Sequence, residues 1–146
     1  AAFGHRWRRS DVAEIRRMRQ RLEQTASAGD LKRGPGGIVD IEFLVQYLTL
    51  LHAHRYPELV VWTDNVRLIQ TLIGSAVLSE FTAHVLKHAY LIYRAAAHQL
   101  SLQEKPALVP VEKFERLQHR SRRIWQAVFH KRRGAGNPGK KQQNCT

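Results

Sequence analysis

Apolar positions along the chain fall mostly at helical spacing, and short glycine, proline or polar stretches separate the periodic runs. Val12, Ile15, Met18 or Arg19, Leu22 and Ala26 give a first apolar stripe, while Arg16, Arg17 and Arg21 project to other sides. Asp11 and Glu14 make a capping-box pattern at its start, and Gly29 supplies a stop. A second helix is expected over 38–54, carried by Ile38, Ile41, Leu44 or Val45, Leu48 and Leu51 or His52. Tyr56-Pro57 breaks it. The apolar connector 58–62 has no clear period and reads as an extended turn or a single helical turn. Thr63-Asp64-Asn65 offers the N-cap and first-turn acid of a third helix that buries Val66, Ile69, Leu72 and Ile73 and ends at Gly74. Ser79-Glu80 opens a fourth. Its faces are Phe81, Val85, Ala89, Ile92, Ala96 and Leu100, and beside them Leu86, Tyr90, Tyr93 and Ala97. That covers more than half of the circumference and predicts the central helix of a bundle. Pro106 and Pro110 bracket a loop before a fifth helix over 111–131. There Phe114, Leu117, Ser121, Ile124 or Trp125 and Val128 face inward, and Lys113, Arg116, Arg120 and Arg123 face out.

No segment sustains alternation with a period of two, so the fold class is all-α, a five-helix bundle. There are no internal repeats, and no heptad register runs through the whole chain. Residues 1–10 read as a lead-in, 11–131 as the helical domain, and 132–146 as a disordered basic tail of Gly, Pro, Lys, Gln and Asn.

Composition changes this picture little. At 146 residues with 43% hydrophobic content, the chain can bury one core. No apolar run is long enough for a membrane span, and the start lacks a secretory pattern. It also lacks an initiator methionine, so the chain is read as a piece of a longer one. The single cysteine, Cys145, leaves no disulfide framework, which fits a reducing cytoplasm. The formal charge of +12 invites nucleic acid, an acidic protein or a phosphorylated ligand. It is spread over three places: Arg6 to Arg21, Lys113 to Arg133, and Lys140-Lys141. The plainest account is solvated helix surface.

Candidate chemistry gathers at residues 30–46. Lys32 to Gly37 is a basic turn with three glycines and a proline, which no helix interior accommodates. It feeds the start of the second helix, where backbone N–H groups favour an anion. Lys32, Arg33, Gly36, Gly37, Asp40 and Glu42 are therefore the candidate residues for a nucleotide-phosphate site or for an interface. Gly36-Gly37 followed by Asp40-Ile41-Glu42 imitates the glycine turn and metal-binding Asp-x-Glu of nucleotidyltransferases. The gap is too short, however, and on a helix residues i and i+2 lie roughly 200° apart. Two carboxylates so placed cannot close on one Mg²⁺ ion. No other Asp-x-Asp or Asp-x-Glu exists in the chain, so no catalytic residue is assigned and the chain alone is expected to transfer no nucleotide. His84 and His88 have metal-ligand spacing but lack an obvious third ligand. A Walker lysine loop, a nucleophile elbow and a helix-turn-helix are all missing. Arg116, Arg120 and Arg123 could lie on phosphates, with Trp125 near, though Trp125 is better placed in the core.

Three segments together resemble a known family. They are Asp30-Leu31-Lys32-Arg33-Gly34-Pro35-Gly36-Gly37-Ile38-Val39-Asp40-Ile41-Glu42-Phe43-Leu44-Val45-Gln46-Tyr47-Leu48, then Trp62-Thr63-Asp64-Asn65-Val66-Arg67, then Ala89-Tyr90 through Leu100 and Leu102-Gln103. In this order and spacing they look like the helical domain that follows the nucleotidyltransferase core in bacterial bifunctional glutamine synthetase adenylyltransferases. Val39-Asp40, where the family's N-terminal half tends to carry Arg-Glu, resembles the C-terminal, adenylylating half. The resemblance implies a parent enzyme that uses ATP and Mg²⁺ to attach AMP to a tyrosine of glutamine synthetase and also removes it. It implies glutamine synthetase, the PII signal protein and the parent's own core as partners, with no cofactor bound by this chain alone. By the same resemblance, Lys32 and Arg33 face the catalytic site; Asp40 and Glu42 read either as first-turn acids favoured by the helix dipole, or with one of them meeting a basic group or ribose at the seam with the core. The helical domain of a PII uridylyltransferase is the nearer alternative, and a stand-alone basic nucleic-acid-binding module the more distant one. Residues 132–146 depart from the family pattern.

Overall fold

The structure is a computed structural model that describes residues 9–53, 55–56 and 64–130, with side chains from 11 to 129 in those ranges. The lead-in before residue 9, the connector 58–62 and the tail lie outside the described residues. Among these residues five α-helices run in order: α1 Arg9–Gln24, α2 Ile38–His52, α3 Asn65–Gly74, α4 Glu80–Leu102 and α5 Glu115–His130. Among the described residues there is no strand, only an isolated antiparallel bridge between Asp30 and Leu108.

Local chemistry accounts for most of the ends. Asp64 caps α3 by accepting the Val66 N–H, and Ser79 caps α4 by accepting the Thr82 N–H. α1 begins at Arg9, inside the expected lead-in, and carries Asp11 in its first turn, where the helix dipole favours an acid. It ends at Gln24 rather than running to Gly29. Thr25 turns back onto the Leu22 carbonyl through both its N–H and its hydroxyl, and closes the helix early. α5 starts late for a similar reason. Val111–Lys113 is a 3₁₀ turn that stops at Phe114, whose ring meets Tyr93 edge-on at 5.8 Å.

α2 shares the centre of the bundle with α4. It packs against α3, α4 and α5, and its buried residues, from Ile38 and Ile41 to Tyr47 and Thr49, cover about half of its circumference, while Gln46 and Leu50 face out. α4 packs on α2, α3 and α5 through Ala83, Leu86, Ala89 and Tyr93 but leaves its outer face open. Phe81, expected to be inside, is 77% exposed in the first turn of α4, although Val85 and Ala89 of the same face are buried. Two further inward positions were not anticipated. Leu68 is buried on α3, and Phe129 of α5 stacks with Trp125 at 4.1 Å and with Tyr47 at 4.7 Å. On α1 the inward residue is Arg19, while Met18 faces solvent.

Candidate functional site at the glycine turn

The turn is built from its own polar groups. Asp30 accepts the N–H groups of Lys32 (2.8 Å) and Arg33 (3.0 Å) on one carboxylate oxygen, and its carbonyl accepts the Gly34 N–H. Leu31 N–H donates to the Ala107 carbonyl, Gly37 N–H to Gly34, Ile38 N–H to Leu31 and Val39 N–H to Lys32. Gly36 N–H donates to Asp40 Oδ2 at 2.6 Å. Pro35 has no N–H. Every backbone donor from Leu31 to Val39 is thus committed within the chain. The anion expected at the start of α2 is the protein's own Asp40, with Asp30 serving the preceding residues.

Gly36 shows why this loop needs glycine. Its φ is +70°, and a Cβ there would stand 2.1 Å from the Gln118 carbonyl oxygen. The loop backbone lies directly on the backbone of α5, a closeness that any side chain would prevent. Gly29, with φ +77°, makes the same kind of approach to Val109. Gly37 is buried and precedes α2 without a side-chain cap. Lys32 and Arg33 are exposed, and the Arg33 guanidinium comes within 3.5 Å of Thr25 Oγ1.

Asp40 and Glu42 serve different neighbours. Asp40 is 2% exposed and takes a two-point ion pair from Arg19, through Nε on Oδ1 and Nη2 on Oδ2. Arg19 also pairs with Glu23, and Arg122 of α5 lies 3.5 Å from Glu23 and 3.8 Å from Asp40. Burial, and then the positive charge of Arg19, lower the pKa of Arg122 from its ordinary value, while Asp40 opposes the shift. Glu42 instead accepts a hydrogen bond from the Tyr90 hydroxyl at 3.2 Å. With the oxygens of Asp40 engaged by Arg19 and Gly36, and Glu42 turned to Tyr90, the pair does not fit a divalent cation.

Around Tyr90 the three distinctive segments meet. Its hydroxyl accepts from Asn65 Nδ2 at 3.2 Å and from Arg94 Nη1 at 3.3 Å while it donates to Glu42. One phenol therefore ties α2, α3 and α4. Sequence pattern puts Tyr90 only on an apolar face and gives no hint that Asn65 and Arg94 join it, or that Arg19 belongs to a polar cluster. An arginine at a position that alternates with Met18 on the α1 stripe was the one available signal for Arg19.

The other candidates remain apart. His84 and His88 are exposed with parallel rings 6.3 Å apart, and no three His, Cys, Asp or Glu side chains converge among the described residues. Arg116, Arg120 and Arg123 are exposed, whereas Trp125 is buried and unavailable to stack on a base. No helix among the described residues is long and apolar enough to cross a membrane.

The arrangement defines a class: a helical bundle domain whose central helix is entered through a basic glycine turn sealed by the domain's own carboxylates. Comparison with known proteins gives the particular family. The family model described as GlnD PII-uridylyltransferase matches residues 8–107. The bifunctional glutamine synthetase adenylyltransferase/adenylyl-removing enzyme of Shewanella loihica is 38% identical over 122 residues, covering 80% of this chain and 13% of that protein. The protein of the same name from Pseudomonas aeruginosa is 37% identical over 134 residues, 82% of this chain and 14% of that protein. That of Hahella chejuensis is 41% identical over 100 residues, 68% of this chain and 10% of that protein. The chain belongs to this family and is a helical domain of it. It spans only 13% of the length of the Shewanella loihica relative.

Proposed function

We infer that the chain is the helical accessory domain of a glutamine synthetase adenylyltransferase, a parent enzyme that moves AMP from ATP onto a tyrosine of glutamine synthetase and removes it. The observation that carries this reading is the name shared by relatives at 36–41% identity. In it, ATP and Mg²⁺ are held by the parent's nucleotidyltransferase core. Glutamine synthetase and the PII signal protein are the macromolecular partners, and the compartment is the cytoplasm. The domain packs on the core and presents Lys32 and Arg33 to the nucleotide. Because the turn's backbone donors are committed, its contribution to a phosphate comes from those two side chains. Asp40 and the glycines then act by holding the turn in shape.

Calorimetric titration with ATP and Mg²⁺ tests the division of labour. Binding is expected to a chain extended by the catalytic core and not to residues 1–146 alone. In the extended enzyme, replacing Lys32 and Arg33 together by Ala is expected to lower kcat/KM for AMP transfer about tenfold or more. Unchanged kcat/KM would remove the two side chains from the site.

One observation favours a second reading, the helical domain of a PII uridylyltransferase: the matching family model carries that description. Offering the extended enzyme labelled ATP with glutamine synthetase, and labelled UTP with PII, separates the two by which protein becomes labelled.

A further inference from the structure

Among the described residues, the outer face of α4 is an unpartnered seam. From Phe81 to Leu102 it advances in alternating steps of three and four, which is heptad spacing. Phe81 (77% exposed), Leu91 (48%) and Leu102 (67%) are its apolar anchors. His84 and His88 fill the interval between the first two anchors as parallel exposed rings 6.3 Å apart, and His98 stands in the second. Ala95, also exposed, is the small residue of the row. The seam lies opposite Leu86 and Tyr93, which point into the core, so it has no part in holding the bundle together. It is about 30 Å long at the helical rise. Isolated exposed apolar residues are ordinary, but an ordered row of them on one rigid helix marks a contact surface.

Charge selects the occupant. Between Glu80 and Glu104 the helix holds no acid, while Lys87 and Arg94 stand one heptad apart along the same edge of the seam. Arg94 is held in place, with Nη1 on the Tyr90 hydroxyl and its guanidinium carbon 5.6 Å from the centre of the Tyr90 ring. A second copy is a poor match. Antiparallel about Leu91, it would set Arg94 against His88, Lys87 against Ala95 and His84 against His98, and gain no ion pair. In parallel, it would set the two cations against Ile92 and Gln99 and gain no ion pair. We propose that the α4 seam docks an amphipathic helix of a partner protein, with an apolar stripe and acidic residues along the edge that meets Lys87 and Arg94. This does not depend on the adenylyltransferase reading.

The probe is a synthetic helix of three heptads with Leu along its stripe and Glu on both flanks, compared with the same helix carrying Lys on both flanks. Fluorescence anisotropy at low salt should show saturable binding of the Glu peptide, about tenfold or more tighter than the Lys peptide. Phe81→Ser, Leu91→Ser and Leu102→Ser combined should abolish that binding and leave the circular dichroism and thermal midpoint unchanged, since all three are exposed. Arg94→Glu should narrow or reverse the preference between the peptides. Equal affinity for the two peptides, no saturable binding of either, or undiminished binding by the triple variant would overturn the proposal. So would sedimentation showing a dimer that the triple variant dissociates, because the occupant would then be a second copy.

Discussion

Arg19 of α1 and Asp40 of α2, 21 residues apart, form a two-point buried ion pair, with Nη2 on Oδ2 at 2.9 Å and Nε on Oδ1. The pair clips α1 to the start of the central helix. Asp40 also accepts the Gly36 N–H, so the same carboxylate fixes the glycine turn.

Removing one member of such a pair costs more than the pair contributes, because a buried charge is left alone. Asp40→Ala is expected to destabilise by roughly 3–5 kcal/mol, because it strands Arg19 and also frees the Gly36 N–H. Arg19→Met should cost less. It keeps much of the packing, and Arg122 remains 3.8 Å from Asp40. Urea denaturation of the two variants checks the order, and a loss below about 1 kcal/mol for Asp40→Ala would deny the carboxylate its structural role.

Two glycines should respond in opposite ways. Gly36→Ala places a methyl group against the Gln118 carbonyl at a positive φ and is expected to cost on the order of 2 kcal/mol or more. Gly74 is exposed at the end of α3, and a methyl group added there would meet nothing within 4 Å, so Gly74→Ala should be neutral or stabilise by about 0.5 kcal/mol. Thermal midpoints of both variants decide the matter, and similar shifts would refute the close-approach account of Gly36.

Tyr93 predicts the alkaline limit of stability. Burial pushes its phenol well above the ordinary value, the charge of Asp40 adds to the shift, and the hydroxyl of Ser121 opposes it. The two hydroxyls are buried side by side without reaching good hydrogen-bond geometry. In the unfolded chain the phenol ionises near its ordinary value of 10.0, whereas the folded chain keeps the proton to higher pH. Between those points the unfolded state binds fewer protons, so stability falls as pH rises. Below about pH 10 the contribution is constant. The urea midpoint should therefore decline above about pH 10, and Tyr93→Phe should flatten part of that slope. An identical slope in the variant would assign alkaline unfolding to other groups.

Tyr90 gives a fourth test. Its hydroxyl joins Glu42, Asn65 and Arg94, so Tyr90→Phe should lose about 1–2 kcal/mol. Hydrogen exchange should quicken in α3, where Asn65 sits in the first turn. Faster exchange confined to α4 would show that the hydroxyl does not anchor α3.

The sequence alone determined the number of helices and most of their limits. Asp64 and Ser79 cap backbone N–H groups two and three residues away, Pro106 interrupts within a turn, and apolar period registers every few residues. These are short-range effects, carried in the order of residues. Only the tertiary structure decided which face met which. Arg19 rather than Met18 points inward because Asp40 waits across the gap. Phe81 lies outside because, among the described residues, no helix covers that side of the first turn of α4. The glycine turn resembles an anion cradle in sequence, yet its donors are taken by Asp30, by Asp40 and by carbonyls as far away as Ala107. Gly36 is required by a carbonyl of α5 some eighty residues further on. Such partners are fixed by the packing of distant segments, which no local pattern encodes.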